Sequence, residues 1–321
     1  VENGQPLFET GRFRVTGARI FGKKFHRASL ILRSFLLSHA IFPCRTFPLL
    51  NFNLYFHMFF LTDPSIEKMP LVPLVIFARY FLLCAWLFGL FYLWKKRAWL
   101  YRKIQQKFPQ RADYRREIGY SMLTALIFGA VAALLLGTPI RSYTQVYSDA
   151  EQYGIPYLVL SVPLVLFLHD TYFYWMHRLM HHPKIYRYVH RVHHQSVNPS
   201  PWAAYSFHPL EAVLEAGVLP LALFLIPLHP IALFSFVTLM LWFNVYGHLG
   251  YELFPKRIYE HPLGRWLNSS VYHNQHHECF YGNYSLYFTF WDRWMGTLRQ
   301  DSGEKVQAVQ DKILKHDALF D

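Results

Sequence analysis

Four long apolar segments constrain the fold of this chain more than any other feature of its sequence. They cover Leu71–Trp94, Ile118–Gly137, Ile155–Met176 and Ala216–Gly247, and a helix of about 20 apolar residues crosses a bilayer core. The composition agrees, because 53% of the 321 residues are hydrophobic and only 16% are charged, whereas soluble domains are about 25% charged. We therefore expect an all-α, polytopic membrane protein with about four transmembrane helices, and we exclude a disordered chain.

The last apolar segment, Ala216–Gly247, is too long for one straight span. A helix of 32 residues would be about 48 Å long, whereas the hydrocarbon core is about 30 Å thick. The sequence PLHP interrupts the segment at 227–230, and proline ends or kinks a helix. We predict a helical hairpin with the legs Ala216–Ile226 and Ile231–Gly247, and one kinked, tilted helix is the alternative.

The charges of the loops predict the orientation in the membrane. The loop after the first span, residues 95–116, contains nine basic residues and one acid, and such loops face the cytoplasm. The next loop, Thr138–Gly154, contains one Arg and two acids, as expected on the opposite side. Basic loops at one face of the membrane thus account for much of the net charge of +12. We therefore expect no nucleic-acid partner.

Residues 1–57 fit this topology poorly, because they are basic where the first span should begin outside the cell. One explanation is a further span at about Thr46–Thr62. The other is an upstream extension that does not belong to the native protein, since the first Met is Met58. We expect one membrane-embedded domain at residues 58–321, with a metal-site core at residues 155–298.

Histidine is concentrated in the second half of the chain. Fourteen of the 18 His lie between His169 and His277. One HxxxH and two HxxHH motifs contain His177, His181, His190, His193, His194, His273, His276 and His277. Positions i, i+3 and i+4 share a face of a helix, so we expect the imidazoles of one motif to reach one ion. Eight ligands exceed the need of one metal ion, and imidazole suits iron, zinc and copper, so we predict a two-metal site.

Other metal and redox chemistries lack their signatures. The chain contains no HExxH motif, which disfavours a soluble zinc protease. Its three Cys form neither a CxxC pair nor a disulfide scaffold.

Further polar residues near the motifs are candidates for the same site. His248 ends the second hairpin leg on the side of the motifs, and we predict it as a ninth ligand. A ligating His usually has a carboxylate or carbonyl partner on its second ring nitrogen. Candidates for additional ligands or for such partners are His169, Asp170, His208, Asn244, Glu211 and Glu252.

Aromatic residues close to the motifs are candidates for lining a substrate path. They are Phe173, Tyr174, Trp175, Trp202, Trp242 and Phe243. In a chain with 19% aromatic residues, packing or anchoring at the membrane interface explains most of them equally well.

These motifs resemble those of the fatty acid hydroxylase/sterol desaturase superfamily of integral membrane enzymes. The similar segments are HDTYFYWMHRLMHH, YRYVHRVHH, NPSPWAAYSFHPLE, GHLGYE and VYHNQHHECFYGNYSLYFTFWDRWMGT, in the order of the family. They cover about Ile155–Leu298, and the stretch His190–Glu211 is most similar to the sterol desaturase branch. The resemblance implies that the eight motif histidines and His248 bind two iron ions, usually at the cytoplasmic face of the membrane.

The resemblance also implies a reaction and its partners. Members activate O2 with two electrons from a separate ferredoxin or b-type cytochrome, and they hydroxylate or desaturate a lipid that enters from the bilayer. Zinc can replace iron in overexpressed protein. The alternative from another class is a His-rich membrane metal transporter or metal-binding protein without oxidase activity. A transporter should have polar groups along its spans, whereas here they gather at one face.

Overall fold

Helices form the regular structure of residues 71–319, which are the residues that this computed structural model describes. In this part of the chain there is no β-strand, only three isolated β-bridges, so the all-α prediction is confirmed. The described residues belong to one compact unit. The expectations for residues 1–57 lie outside them, and the boundaries of the predicted domain remain a prediction.

Twelve α-helices can be assigned within the described residues. They are α1 (Val72–Phe88), α2 (Arg111–Gly137), α3 (Gly154–Met180), α4 (Pro183–Val189), α5 (Arg191–His194), α6 (Pro209–Ala216), α7 (Val218–Leu225), α8 (Pro230–Gly247), α9 (Lys256–Glu260), α10 (Ser270–Cys279), α11 (Phe290–Trp294) and α12 (Ser302–Asp317). A π-helical segment, Gly89–Trp94, continues α1. Short 3-10 helices occur at Leu100–Arg102, Pro139–Tyr143, Pro201–Tyr205 and Gly264–Trp266.

Four of these helices are long and apolar enough to cross a membrane. They are α1 with its π-helical continuation, α2, α3 and α8. Large apolar side chains on them are exposed, for example Leu74, Leu126 and Phe167, as expected for surfaces that contact lipid rather than water. The four predicted spans are confirmed, and the protein is an integral membrane protein.

The predicted hairpin is present, but its first leg is shorter than expected. The break occurs where the prolines predicted it, because α7 ends at Leu225 and α8 begins at Pro230. The leg expected from Ala216 is bent at Gly217, where a Cβ atom would lie 2.4 Å from the hydroxyl oxygen of Tyr172. That hydroxyl donates to the carbonyl of Leu214 at 2.6 Å and separates α6 from α7. With eight residues, α7 is only about 12 Å long and does not cross the core alone.

The basic loop and the His-rich segments lie at the same end of the helices. Gln105 of the loop donates through Nε2 to Asn274 Oδ1 of α10 at 2.9 Å and to the carbonyl of Val197 at 3.0 Å. The loop Thr138–Gly154 lies at the opposite end, where the backbone N–H of Gln145 donates to the carbonyl of Leu223. We call the end with the histidines the cap. It consists of the basic loop, the last turns of α3 and α8 with the residues that follow them, α4 to α6 and α9 to α12.

A buried carboxylate attaches the cap to α2. Glu117 accepts hydrogen bonds from the hydroxyls of Ser196, at 2.7 Å, and Ser200, at 2.5 Å, in the loop that follows the second His motif. All three side chains are buried. Because buried polar groups cost free energy unless they are paired, these bonds fix the position of that loop relative to the spans.

Two glycines in α2 provide a test of this packing. A Cβ atom on Gly129 would lie 2.5 Å from Cα of Pro73 in α1, whereas a Cβ atom on Gly119 would meet nothing within 4 Å. Both substitutions to Ala favour the helix by about 1 kcal/mol. We expect Gly129→Ala to lower the unfolding temperature in detergent, because forced overpacking costs about 1–3 kcal/mol, and Gly119→Ala to leave it unchanged or raise it. Equal effects of the two substitutions would contradict the contact between α1 and α2.

Candidate metal centre

All nine histidines that we predicted as ligands meet in the cap. The first group contains His177, His181, His190, His194 and His276, and the second group contains His193, His248, His273 and His277. Within each group, one nitrogen of every ring lies within 4.8 Å of the corresponding nitrogens of the others. The side chains come from the end of α3 and the residue after it, from α5 and the residue before it, from the residue after α8, and from α10. The arrangement has the ligand number for two metal ions, and their binding remains a prediction.

The two HxxHH motifs each contribute to both groups, and the expectation that one motif serves one ion was wrong. His190 and His194 belong to the first group, whereas His193 belongs to the second. In α10 the division is reversed, with His276 in the first group and His273 and His277 in the second. The reason is that successive residues of a helix point about 100° apart, so positions i+3 and i+4 face different sides.

Three rings of the first group have a partner in the protein on their second nitrogen. Nδ1 of His177 lies 2.7 Å from the carbonyl oxygen of Tyr284, and Nδ1 of His276 lies 2.7 Å from that of Gly282. Since a carbonyl can only accept, both Nδ1 atoms carry the proton and both Nε2 atoms keep a lone pair. Nδ1 of His190 lies 2.7 Å from Oε1 of Glu211, which orients this ring in the same way.

The Nε2 atoms of the first group converge, as expected of ligands around one position. Nε2 of His177 lies 3.0 Å from Nε2 of His190, and those of His194 and His276 lie 3.1 and 3.2 Å from Nε2 of His181. Burial and the neighbouring histidines lower the pKa of His190 well below its ordinary value, so this ring is neutral. Neutral rings that converge through Nε2 suit a metal ion.

The second group is centred on His248. Its Nδ1 donates to the carbonyl of Asn244 at 2.7 Å, and its Nε2 lies 3.0 to 3.2 Å from those of His193, His273 and His277. Burial lowers the pKa of His248 to about 4. It also lowers the pKa of four other cap histidines well below the ordinary value, namely His193, His194, His273 and His277. The rings are thus in the neutral form that binds metals, and an all-imidazole donor set fits iron and zinc.

Two of the additional candidates contact ligands, each in a different way. Glu211 hydrogen bonds to His190 through its carboxylate, which is the arrangement predicted for a partner of a ligand. Asn244 contributes its backbone carbonyl to His248, whereas its side-chain amide donates to the carbonyl of Ala204 at 2.8 Å. Its side-chain amide group is thus engaged with the backbone.

The other four candidates lie outside the two groups and have other hydrogen-bond partners. Nδ1 of His169 is hydrogen bonded to the hydroxyl of Tyr287, and Asp170 accepts from the backbone N–H of the same residue. The role we expected for Asp170, as a partner of a ligand, is therefore corrected: its carboxylate fixes the loop after α10. His208 caps α6, and Glu252 accepts from the hydroxyl of Tyr246.

Sequence reasoning missed the loop that supplies the two carbonyl partners. Tyr284 and Gly282 act through their backbones, and a backbone carbonyl leaves no mark in a sequence. The backbone N–H groups of Tyr284 and Ser285 donate to the carboxylate of Asp292 at 2.9 Å each. The one signal in the sequence is Gly282 itself, which follows the last His motif, and its φ of 72° is a conformation that favours glycine.

An apolar cavity in the membrane part of the molecule comes close to the two groups, although none of their nine histidines lines it. The lining residues next to the groups are Phe173, Phe207 and Asn244, and those at the far end include Leu136, Val218 and Leu233. The ring of Phe173 lies 5.0 Å from that of His177, and the ring of Phe207 lies 5.0 Å from that of His193. The cavity therefore leads from the lipid-facing helices to the candidate metal centre.

Only one of the six aromatic candidates for a substrate path, Phe173, lines this cavity. Tyr174 and Trp202 are buried in packing contacts with other parts of the chain. Phe243 packs against Tyr287. Trp175 and Trp242 are 45% and 43% exposed on the outer surface, where aromatic side chains serve as membrane anchors.

Comparisons with known proteins agree with the motifs. Residues 162–297, which contain all nine histidines, match the family model described as fatty acid hydroxylase. This match and the relatives below confirm the resemblance to the superfamily and to its sterol desaturase branch. No solved structure matches the chain significantly.

The relatives are similar to this chain over part of their length. A Delta(7)-sterol 5(6)-desaturase of Gibberella zeae is 35% identical over 182 residues, which are 54% of this chain and 54% of that protein. The lathosterol oxidase of Homo sapiens is 32% identical over 200 residues, 61% of this chain and 65% of that protein. A Delta(7)-sterol 5(6)-desaturase of Aspergillus fumigatus is 34% identical over 180 residues, which are 50% of this chain and 55% of that protein. The chain thus spans between about half and two thirds of each.

Glu211 allows the metal prediction to be tested without changing a ligand. Removal of a carboxylate that orients a ligating His typically weakens metal binding about 10–100-fold, and we expect this loss for Glu211→Ala in competition with a chromogenic chelator. Glu211→Gln keeps a hydrogen-bond acceptor for His190, so its metal affinity should fall less than that of Glu211→Ala. The control is His208→Ser at the start of the same helix, which retains a helix cap. Unchanged affinity in Glu211→Ala would contradict the assigned site.

Proposed function

We propose that the protein, whose residues 162–297 match the fatty acid hydroxylase family model, is a membrane-bound, O2-dependent di-iron oxidoreductase. It oxidises a C–H bond of a lipid, by desaturation or hydroxylation. One observation carries the proposal: an apolar cavity ends at Phe173 and Phe207, whose rings contact histidines of the two groups. Such a cavity suits an apolar substrate that arrives from the bilayer.

The residues of the chain have separate tasks in this reaction. When bound, two iron ions would supply the oxidising power for an unactivated C–H bond, with O2 and two electrons from a separate donor. The nine imidazoles would hold the ions, while Glu211 and the carbonyls of Gly282 and Tyr284 fix the ring orientations. Phe173 and Phe207 separate the centre from the cavity and would keep water away from the substrate carbon.

The substrate class follows from the relatives and from the cavity. The relatives are named as sterol desaturases and as lathosterol oxidase, and we propose a sterol as the substrate of this chain. The long apolar wall formed by α1, α2, α3 and α8 supports this choice. The names of these relatives also favour desaturation of the sterol over its hydroxylation.

A metal transporter without oxidase activity is the weaker alternative. In the described part of the chain the nine histidines gather in the cap, and the cavity beneath them is mostly apolar. Transport of a cation through the spans would require polar groups along its path.

The sterol reaction can be tested in a host that lacks sterol 5(6)-desaturase activity. We expect the chain to introduce a new double bond into a Delta(7)-sterol, detected by mass spectrometry of the sterol fraction. His273→Ala should abolish the product, because it removes a ligand from the second group. His261→Ala is the matched control, since His261 is exposed and outside both groups. A product that persists in His273→Ala, or purified wild-type protein that folds without metal, would refute the proposal.

We further propose that the cap faces the cytoplasm, because the basic loop of residues 95–116 is part of it. Ala308 in α12 is exposed, and α12 contacts the loop through the hydrogen bond from Lys312 Nζ to the carbonyl of Lys103. Ser142 is exposed in the loop at the opposite end. In intact cells, an impermeant maleimide should label Ser142→Cys, and it should label Ala308→Cys only after permeabilisation. The chain without introduced cysteines is the control for labelling of the native cysteines. Labelling of Ala308→Cys but not of Ser142→Cys in intact cells would show that the cap faces the outside.

A further inference from the structure

The otherwise apolar cavity contains a small set of polar side chains. Its lining includes Arg79, His169, Tyr205, Glu215 and Asn244. Pockets for small ligands commonly combine apolar walls with a few polar groups that fix the orientation of the ligand. The polar groups that lack a partner in the protein therefore indicate where a polar atom of the substrate binds.

Three of these five side chains already have partners. Arg79 donates through Nη2 to Oγ1 of Thr238 at 2.8 Å, and the amide of Asn244 donates to the carbonyl of Ala204. His169 is hydrogen bonded to a tyrosine hydroxyl at 2.7 Å. Among the described residues, no hydrogen-bond partner is found for the carboxyl of Glu215 or for the hydroxyl of Tyr205.

Glu215 is the more costly of the two groups to leave without a partner. Its side chain belongs to a residue that is only 8% exposed, and its neighbours in the cavity wall are Ala216, Val218 and Leu219. Burial raises the pKa of Glu215 to about 8, so at neutral pH the carboxyl is mostly protonated and offers one donor and one acceptor. A hydroxyl group also donates and accepts, and it would satisfy both.

The position of Glu215 in α6 determines how far a substrate hydroxyl bound to it would lie from the candidate metal centre. Glu215 follows Glu211 by one turn of α6, and Glu211 hydrogen bonds to His190. One turn advances the helix by about 6 Å over four residues. A hydroxyl bound at Glu215 would hold the carbon atoms near it beside the metal groups, and the remainder of the molecule would extend along the apolar wall towards Leu136 and Leu233.

We propose that Glu215 binds the hydroxyl group of a sterol and thereby selects the ring carbons near that hydroxyl for oxidation. This inference rests on the proposed sterol oxidation. In a sterol with its hydroxyl on carbon three, carbons five and six are separated from it by a few bonds, whereas the side chain lies at the opposite end of the ring system. The ring carbons, and not the side chain, are then presented to the centre.

The test compares a Delta(7)-sterol with its 3-deoxy analogue in metal-loaded protein in lipid nanodiscs. We expect wild type to bind the hydroxylated sterol about tenfold more tightly, the effect of one or two net hydrogen bonds. Glu215→Leu should bind both compounds equally. Glu215→Gln keeps a donor and an acceptor and should keep most of the preference. Tyr205→Phe is the matched control, because it removes the other unpaired group, and it should keep the preference.

The outcomes separate this inference from the proposed function. Metal per chain reports folding for each variant, and Glu215→Met is a second apolar substitution in case Glu215→Leu loses its metal. A preference that survives both apolar substitutions, or that disappears in Tyr205→Phe instead, overturns the role of Glu215 even if wild type converts the sterol. Wild type that prefers the hydroxylated sterol without forming product supports the inference and overturns the oxidation. Wild type that binds neither compound overturns both.

Discussion

The convergence of nine neutral imidazoles is the interaction on which the cap depends. Carbonyl and carboxylate partners on Nδ1 orient four of the rings, those of His177, His190, His248 and His276. The Nε2 atoms of the rings then converge, as the 3.0 Å distance between His177 and His190 illustrates. The side chains come from α3, α5, α10 and the end of α8, so a bound cation would join segments that are far apart in the chain. Binding of the proposed metal ions would therefore be coupled to assembly of the cap.

The membrane helices determine where this centre lies relative to a lipid. Two of them, α3 and α8, end at the centre, and their last turns provide His177 and the Asn244 carbonyl that orients His248. The same two helices line the cavity through Phe173 and Phe236. A change in the packing of either helix would thus move a ligand and the substrate wall together. The glutamate and serine contacts between α2 and the cap limit such movement.

The features that follow from local chemistry could be predicted from the sequence, and those that depend on long-range packing could not. Hydropathy identified the four spans, the prolines before Ile231 located the hairpin break, and motif spacing identified the ligand set. Helix geometry separates position i+3 of each HxxHH motif from positions i and i+4, but the group that each side chain joins depends on how α3, α5 and α10 pack. The bend at Gly217 depends on Tyr172, 45 positions earlier in the chain. Both outcomes depend on tertiary packing, which the spacing does not encode.

Two glutamates in α6 show how environment gives one residue type two tasks. Glu211 and Glu215 share a face of this helix, one turn apart, and both are buried. Glu211 meets a ring nitrogen of His190, so its role is to orient a ligand. Glu215 lines the cavity and has no hydrogen-bond partner among the described residues, which is why we propose that it binds the hydroxyl of the substrate. Since one short helix carries both groups, the distance between the metal ligand and the bound hydroxyl is fixed by helix geometry rather than by loop conformation. A rigid spacing of this kind is what selection among neighbouring C–H bonds requires, because small displacements of a reacting group cost large factors in rate.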